Sequence, residues 1–343
     1  MMADYYEPRY LRGAIRKIQP TRLFFRNNFF TEAVRFPTKT VTFEFAENPR
    51  ALLPFANEDM PAPSVKRSSY QAKSYTAPLI SGSRVITPAT LETKLPGESP
   101  YNSGFSPEDR ARELAADDLM ELQDQLYRQE EYMCARVKQD GKLIIDAEGL
   151  HQEIDYELPF IETPTQANKW TSSYDILGKL QKMARELRKQ GTNPDQLIVG
   201  EGIAELFNTN QAIVDLRRDE YLKIPDPGSL ANGIIYLCTL RAPGINLDVY
   251  EYSEYYTDNT GTLKPVIDSG TVIMQSSRER NFMLYGAVTY IDDRTRQYVT
   301  EMTDYVPYVS VSTNPPERRL IVSARSLPMP RDVNSWYVLK NAV

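Results

Sequence analysis

Residues 106–139 read SPEDRARELAADDLMELQDQLYRQEEYMCARVKQ, and they predict one long helix. Ser106 suits the N-cap, Pro107 the first helical position, and Glu108 and Asp109 the first turn, where the helix dipole favours acids. Apolar side chains recur at steps of three, four or seven residues and form one stripe along the helix. These are Ala115, Leu119, Leu122, Leu126, Met133 and Val137. At 1.5 Å per residue the helix is a rod roughly 50 Å long that ends at Gly141, far longer than the average globular helix.

The chain ahead of this helix is rich in aromatic residues and poor in glycine. Residues 23–45 read LFFRNNFFTEAVRFPTKTVTFEF, and no glycine lies between Gly13 and Gly82. We interpret this stretch as a mostly extended ribbon without a core of its own. Alternation of Val41, Phe43 and Phe45 with polar residues predicts a half-buried strand. Residues 65–86 predict a returning strand, so residues 37–96 form a long hairpin with a proline-rich tip that needs a surface to lie on.

The chain after the helix predicts a hairpin and then an α/β region. Residues 142–159 form the hairpin, and residues 173–191 form an amphipathic helix that ends at Gly191. A short buried strand at 196–200 and one or two short helices at 203–218 follow. Four strands are predicted next, at 233–241, 245–256, 271–277 and 281–290, with a turn at Asp258–Gly261. Residues 317–341 predict two more strands, and the fold class is α+β.

Composition excludes several classes of protein. The chain has 343 residues, a formal net charge of −6 and a pI near 5.2, which argues against a basic nucleic-acid-binding protein. No stretch approaches the roughly 20 apolar residues of a membrane span, and the first residues lack the apolar core of a signal peptide, so we expect no membrane partner and a cytosolic chain. Cys134 and Cys238 lie outside any CxxC pattern and predict two buried, reduced thiols. His151 is the single histidine and predicts a strand residue, so metal sites and His-based catalysis have almost no support.

One motif offers an alternative, a nucleotide-binding protein or enzyme. The sequence LIVGEGIAELF at 197–207 places Gly200 and Gly202 between a strand and a helix, as in half of a dinucleotide-binding fingerprint. The third glycine of that fingerprint is missing, and Glu201 would direct a carboxylate at the phosphate. A tight turn that uses the backbone freedom of glycine is the favoured interpretation. We expect no catalytic residue, cofactor or metal.

The remaining features predict association between copies. An arm of about 35 residues can extend on the order of 115 Å, and the arm, the hairpin and the long helix all carry apolar surface that one chain cannot bury. Because burial of apolar surface drives association, neighbouring copies are the simplest source of the missing partner surface. The predicted inter-subunit contact residues are Leu23, Phe24, Phe25, Phe29, Phe30, Phe43, Phe45, Tyr70 and Tyr75.

Five segments, in this order, carry a resemblance to a known family. They are TRLFFRNNFF, ITPATLETKLPGESPYN, RARELAADDLMELQDQLYRQEEYMCARVKQDGKLII, QLIVGEGIAELFNTNQAIVDLRR and ERRLIVSARSLPMPRDVNSWYVL. Together they resemble the major capsid, or major head, protein of tailed bacteriophages, in particular the phage lambda-like branch of the Hong Kong 97 capsid fold family. The resemblance covers nearly the whole chain. It rests on the order of the segments, because the family has no catalytic signature.

The resemblance implies a domain organisation. Residues 1–36 would be the N-terminal arm and residues 37–96 the extended loop, a β-hairpin lying over an adjacent subunit. Residues 97–164 would form the peripheral domain, with the long helix as its spine, and residues 165–310 the α/β axial domain. Residues 311–343 would return as strands of the peripheral domain.

The resemblance also implies function and partners. The chain would assemble as pentamers and hexamers into an icosahedral head, in the host cytoplasm, and the mature location would be the virion. Some relatives carry a charged helical scaffolding segment ahead of the arm; this chain begins with the arm, which resembles the lambda branch and implies a separate scaffolding protein. A portal protein, a small decoration protein and non-specifically packaged double-stranded DNA complete the implied partners.

Two alternatives remain open beside this interpretation. One branch of the family cross-links a lysine to an asparagine of a neighbour, for which Lys66 or Lys73 and Asn341 are candidates, although lambda relatives lack this chemistry. Another virion component, such as a tail-tube protein, is also possible, but tube proteins are mostly β and the long helix argues against it.

Overall fold

The computed structural model describes residues 23–46, 70–92, 107–147, 149–219, 233–258, 260–293 and 295–343. The helices are α1 (Phe24–Phe29), α2 (Pro88–Glu92), α3 (Pro107–Asp140), α4 (Ile176–Gln190), α5 (Glu201–Thr209) and α6 (Gln211–Asp219). The first ten strands are β1 (Glu32–Phe36), β2 (Thr40–Ala46), β3 (Tyr70–Thr76), β4 (Ile80–Ile86), β5 (Lys142–Ala147), β6 (Leu150–Asp155), β7 (Ile161–Glu162), β8 (Gln196–Val199), β9 (Ile234–Ala242) and β10 (Ile245–Tyr252). The remaining strands are β11 (Tyr255–Thr257), β12 (Leu263–Pro265), β13 (Val272–Gln275), β14 (Phe282–Gly286), β15 (Val288–Ile291), β16 (Tyr298–Glu301), β17 (Val306–Thr313), β18 (Pro316–Ala324), β19 (Ser326–Met329) and β20 (Tyr337–Leu339).

The predicted long helix is confirmed as α3, which runs for 34 residues. Leu122, Leu126, Met133 and Val137 of the predicted stripe are all buried. Gly141 follows the helix with a φ of +65°, the left-handed conformation that glycine adopts without strain and that ends helices. Directly after it, β5 and β6 pair as the predicted hairpin. We call α3 the spine helix below.

The prediction of an extended ribbon at the start of residues 23–45 is wrong. Residues Phe24–Phe29 form the short helix α1, and Phe24, Phe25, Phe29 and Phe30 lie in the main hydrophobic core of the chain. A six-residue helix is too short to be stable by itself in water. It forms because side chains of the spine helix hold its backbone, which local sequence patterns cannot indicate.

The long hairpin is confirmed in its described part. Strands β2 and β3 pair antiparallel from Thr40 opposite Thr76 to Ala46 opposite Tyr70, and the predicted tip lies outside the described residues. The returning strand is shorter than predicted, because the chain breaks at Pro78, which has no N–H group for a ladder. Strand β4 leaves the hairpin and pairs with β18 in a three-stranded sheet of order β17-β18-β4.

A six-stranded sheet, of order β7-β20-β13-β8-β10-β9, forms the centre of the α/β region. The predicted helix α4, the buried strand β8 and the two short helices α5 and α6 are confirmed. Leu197 and Val199 of β8 face the core formed with these helices, whereas Ile198 faces the core that contains α1 and the spine helix. Because both of its faces are covered, β8 reads as a continuous apolar run.

Two strand predictions need correction. The single strand expected at 281–290 is two strands, β14 and β15, which join different sheets on either side of Ala287. Residues 317–341 contain three strands, and β17 precedes them in addition. The last strand, β20, pairs with β13 and β7 in the six-stranded sheet. The prediction had instead grouped residues 311–343 with the spine helix.

Candidate assembly surface and the docking site of the arm

The nine predicted contact residues fall into two groups. Phe24, Phe25, Phe29, Phe30 and Tyr75 are buried inside their own chain, and Leu23 is half-buried. Phe43, Phe45 and Tyr70 lie on the hairpin strands β2 and β3. Contact of these residues with a neighbouring subunit stays a prediction, and the five buried side chains have little surface left for it. Phe24, Phe25, Phe29 and Phe30 therefore pack in the hydrophobic core of their own chain.

Aromatic rings fix α1 against the six-stranded sheet. The ring centroid of Tyr252, the last residue of β10, lies 5.2 Å from that of Phe25 in an edge-to-face arrangement and 5.9 Å from that of Phe24. Phe24 and Phe25 also meet edge to face at 5.2 Å. Such pairs contribute about 0.5–1.5 kcal/mol each beyond the burial of their area. The start of the described chain is therefore a packed element.

Two consecutive glutamates of the spine helix complete this docking site. The Glu131 carboxylate accepts hydrogen bonds from the backbone N–H groups of Phe25 (2.8 Å) and Arg26 (2.9 Å) and from the Tyr252 hydroxyl (2.9 Å). The Glu130 carboxylate pairs with the Arg26 Nε at 2.6 Å, and Arg26 also donates to the Tyr285 hydroxyl at 3.2 Å. These contacts satisfy N–H groups that a helix of one turn and a half leaves without internal partners.

Burial changes the protonation of both acids. Removal from water raises the pKa of Glu130 to about 7, opposed by the charge of Arg26, and raises the pKa of Glu131 to about 7, opposed by its hydrogen bonds to the amides of Arg26 and Phe25. Burial works against the charge of Arg26, but Glu130 and Tyr285 together raise its pKa. The docking site thus holds groups that titrate near neutral pH.

A buried lysine about two turns further along the spine helix links three segments. Lys138 Nζ is 2.5 Å from the Glu279 carboxylate and lies 4.0 Å from the centroid of the Trp336 ring. The Trp336 Nε1 donates to the backbone carbonyl of Lys138 at 3.0 Å. Burial lowers the pKa of Lys138, and Glu279 opposes that change. This arrangement is a structural ion pair, enclosed on all sides.

Sequence analysis missed Glu130, Glu131 and Lys138. The apolar stripe of a surface helix predicts that charged residues at other positions face water. Here the C-terminal half of the spine helix is covered almost all round, with Cys134, Ala135 and Gln139 buried as well. The segment YMCARV at 132–137, in which Arg136 is the single charged residue, could have indicated from the sequence that this part of the helix is fully enclosed.

One group of exposed apolar side chains lies on a different part of the molecule. Strands β15 and β16 form a two-stranded hairpin on which Ile291 and Tyr298 face each other across the strands, 50% and 80% exposed. Beside it, Tyr290 stacks on Tyr308 of β17 with ring centroids 4.7 Å apart and an interplanar angle of 17°. A groove of about 540 Å³ follows β17 and is lined by Tyr290, Asp293, Pro307, Tyr308, Val311 and Arg318. Exposed apolar surface of this kind is typical of protein contacts.

The sheet beside this groove is also incompletely covered. The N-terminal half of the spine helix packs Leu122 against Leu320 and Val322 of β18. Val309 and Val311 continue the same face on the edge strand β17 but stay partly exposed. Met120 of the spine helix is also exposed. We call this surface, together with the groove and the β15–β16 hairpin, the candidate assembly surface.

The Gly200–Gly202 turn is closed by protein. A Cβ atom at Gly200 would lie 2.4 Å from the carbonyl oxygen of Asp268 and 2.8 Å from that of Ser269. The Gly200 N–H donates to the Thr271 carbonyl at 3.0 Å, and Glu201 accepts a hydrogen bond from the Tyr255 hydroxyl at 3.0 Å. Carbonyl oxygens and a carboxylate are the wrong groups for a phosphate. The glycine is required here because the loop at 268–270 packs directly on the backbone.

The other candidate groups have ordinary structural roles. His151 lies on the exposed face of β6, which confirms the prediction that it is a strand residue. A hydrogen bond to Asp146 on the neighbouring strand raises the pKa of its imidazole. Cys134 and Cys238 are buried and form no disulfide, and burial raises the pKa of the Cys134 thiol. Within the described ranges, His, Cys, Asp and Glu side chains do not gather in threes that could hold a metal ion. The described helices include no segment long and apolar enough to cross a membrane.

Three solved structures of similar fold are capsid proteins. The putative capsid protein of a prophage of E. coli CFT073 matches with a TM-score of 0.64 at 17% identity, over 98% of this chain and 96% of that one. The cyanophage A-1(L) capsid subunit matches with a TM-score of 0.53 at 10% identity, over 95% and 94% of the two chains. A capsid subunit of an empty GTA particle gives a TM-score of 0.50 at 10% identity, over 96% and 93%. A comparison with curated protein sequences finds no match.

The long hairpin, spine helix and α/β sheet therefore have the Hong Kong 97-like fold of these capsid proteins, with the α+β architecture predicted from the sequence. The family model described as phage major capsid protein E matches residues 7–341. The chain belongs to this family, and its role is that of a structural, capsid-forming protein.

Proposed function

We propose that this chain assembles as pentamers and hexamers into the icosahedral head of a tailed phage and encloses double-stranded DNA. The observation that carries the proposal is the family match over residues 7–341, nearly the whole chain. The rings of five and six subunits in such a shell form through heterologous contacts, in which one surface of a subunit binds a different surface of its neighbour and the rotation closes. The location is the virion, after assembly in the host cytoplasm.

The candidate assembly surface is the part of the described chain that best suits contact with a second copy. Tyr298, Ile291, Val309 and Val311 expose apolar area next to an aromatic groove, and burial of such area contributes about 25 cal/mol per Å². The β2–β3 hairpin is the second contact element, because a two-stranded hairpin is marginally stable unless it lies on another surface.

The partners follow from the same role. We propose a separate scaffolding protein, a portal protein and a small decoration protein as protein partners, and packaged double-stranded DNA as a non-specific one. The net charge of −6 supports weak, non-specific contact with the genome, since tight binding of phosphates requires clustered cations. The chain acts as a structural protein without a catalytic step.

Expression of the full chain with its candidate scaffolding protein tests this function. The expected result is closed icosahedral shells of one size in the particulate fraction by electron microscopy. Expression without the scaffolding protein is the control and should give free subunits or irregular particles. A chain that stays monomeric under both conditions would overturn the proposal.

A further inference from the structure

Glu130 and Glu131 connect the first described segment, residues 23–30, to the rest of the molecule. Glu130 is completely buried and Glu131 nearly so, although both are acids on the same helix. Three of the hydrogen bonds that fix the start of α1 end on their carboxylates. Without them α1 would be a six-residue helix with free amide groups, which is unstable in water. The attachment of the segment thus depends on the state of these two carboxyl groups.

The charges around the pair do not balance when both acids are ionised. The groups that face the pair are Arg26 from α1, Tyr252 from β10, Tyr285 from β14, Ser326 from β19, Asp304 ahead of β17, Cys134 on the spine helix itself and, one turn further, Lys138, which is paired with Glu279. Arg26 supplies one positive charge against the two carboxylates, whereas Asp304 is paired with Arg35 of β1 at 2.9 Å and Lys138 with Glu279, so one negative charge is left in excess. A buried site with excess negative charge favours uptake of a proton.

An atom without a partner marks a place for that proton. Among the described residues, Oε1 of Glu130 and the Ser326 Oγ are both buried without a well-formed hydrogen bond, and the Ser326 hydroxyl faces Glu130, where it opposes the rise of the Glu130 pKa. A bare carboxylate oxygen in such a place is costly, whereas a protonated carboxyl oxygen becomes a hydrogen-bond donor. The second oxygen of Glu130 stays with Arg26.

We propose that Glu130 and Glu131 form a proton-controlled latch that holds residues 23–30 on the spine helix while at least one of the two carboxyl groups is protonated and loosens as both become ionised. The latch is a property of the single subunit, so it goes beyond the proposed function and does not need a shell.

The direction of the pH effect follows from linkage. Both carboxyl groups have a pKa of about 7 when residues 23–30 are docked and return toward the ordinary value of 4.5 when they are exposed. Docking of residues 23–30 is therefore accompanied by the binding of protons to these carboxyl groups at pH values between about 4.5 and 7. Its stability is greatest at low pH and is lost as the pH rises through 7, by up to tenfold in the docking equilibrium per pH unit for each proton.

Hydrogen–deuterium exchange of the full-length, unassembled subunit tests the latch. The amides of residues 23–30 are followed by mass spectrometry from pH 6 to 8.5 and corrected for the intrinsic exchange rate, with the peptide of α4 as internal reference. The expected result is a fall of about tenfold to a hundredfold in the protection factor of residues 23–30, while that of α4 stays constant.

Two variants separate the latch from general pH effects. The double variant Glu130→Gln/Glu131→Gln keeps the shape of both side chains but cannot titrate, so its protection factor should not vary with pH. Glu121→Gln alters an exposed acid of the same helix, which pairs with Arg84, and should keep the wild-type pH dependence. If the double variant does not fold, Glu130→Gln alone should reduce the pH dependence. A constant protection factor in the wild type, or a pH dependence that survives in the double variant, would overturn the proposal.

Discussion

Glu130 and Glu131 are neighbours in sequence but serve different partners, because successive side chains on a helix point about 100° apart. Glu130 compensates the charge of Arg26, and Glu131 completes the backbone hydrogen bonds of α1. The same local sequence, QEEY, would be solvated on an ordinary surface helix. Their role is created by the segment that folds over them.

Glu131→Ala should lower the free energy of unfolding by about 3 kcal/mol, because two amides and the Tyr252 hydroxyl lose their buried acceptor. Glu131→Gln keeps one acceptor oxygen and should cost about 1 kcal/mol. Urea denaturation of the unassembled subunit at pH 7 measures both. The exposed Glu121→Ala should change stability by less than about 1 kcal/mol; an equal loss in Glu121→Ala and Glu131→Ala would contradict the role assigned to Glu131.

Lys138 offers a second test at the residue scale. Lys138→Met should destabilise the subunit by about 3–5 kcal/mol, because Glu279 is left buried without its partner cation. The double variant Lys138→Met/Glu279→Leu should recover at least half of that loss, since no unpaired charge remains. Denaturation of the two single variants and the double variant measures the coupling. Strictly additive losses would show that the pair is not a coupled ion pair.

The spine helix differs along its length in what covers it. Its N-terminal half touches the β17-β18-β4 sheet through a narrow stripe that includes Leu122. Its C-terminal half is enclosed by α1, by the six-stranded sheet and by the segment around Trp336. The stripe is readable from periodicity, whereas the enclosure depends on elements that lie more than a hundred residues away.

The strand-to-helix turn at Gly200 gives a test at the scale of one element. Gly200→Ala should lower the free energy of unfolding by about 2 kcal/mol, because its Cβ would meet the Asp268 carbonyl oxygen at 2.4 Å. Gly202→Ala, where the nearest atom is 3.3 Å away, should change it by less than about 1 kcal/mol. Thermal melts compare the two variants. Millimolar nucleotides should not raise the melting temperature of the wild type; a saturable rise that Gly202→Val abolishes would instead support nucleotide binding at this turn.

At the scale of the whole molecule, the predicted arm of residues 1–36 contains residues that belong to the core of the subunit. Residues 24–30 belong to the core, and β1 pairs in parallel with β14 from Glu32 opposite Phe282 to Phe36 opposite Gly286. Removal of residues 1–35 would take buried phenylalanines and most of strand β1 out of the subunit. The assembly role of the arm is therefore best tested on residues 1–22.

Deletion of residues 1–22 should leave a folded subunit that no longer forms closed shells, because the core from Leu23 onward is kept while the reach of the arm is lost. Deletion of residues 1–35 should destabilise the subunit strongly and give insoluble protein, because Phe24, Phe25, Phe29 and Phe30 fill the main core. Circular dichroism and electron microscopy of the two truncated chains separate folding from assembly. Normal particles from the shorter deletion would contradict an assembly role of residues 1–22.

The sequence by itself determined the elements whose signals are local. Periodicity and capping residues determined the spine helix and α4, alternation determined the β2–β3 hairpin, and glycines determined where helices end. The capsid fold was predicted from the resemblance of five sequence segments, in their order, to a known family. Each of these features depends on side chains within a few residues of one another, so neighbouring letters carry the information.

Only the tertiary structure decided how distant segments satisfy one another. It turned residues 24–29 into a helix, placed β20 in the six-stranded sheet and buried Glu130, Glu131 and Lys138 with partners from other elements. The physical reason is that hydrogen bonds and charge pairs in the interior form between residues far apart in sequence, as Glu131 does with Phe25 and Lys138 with Glu279. Such pairs produce no periodic pattern in the sequence. The contacts of Glu130 and Glu131 with residues 24–26 determine how this segment docks and, in the proposed latch, how docking responds to pH.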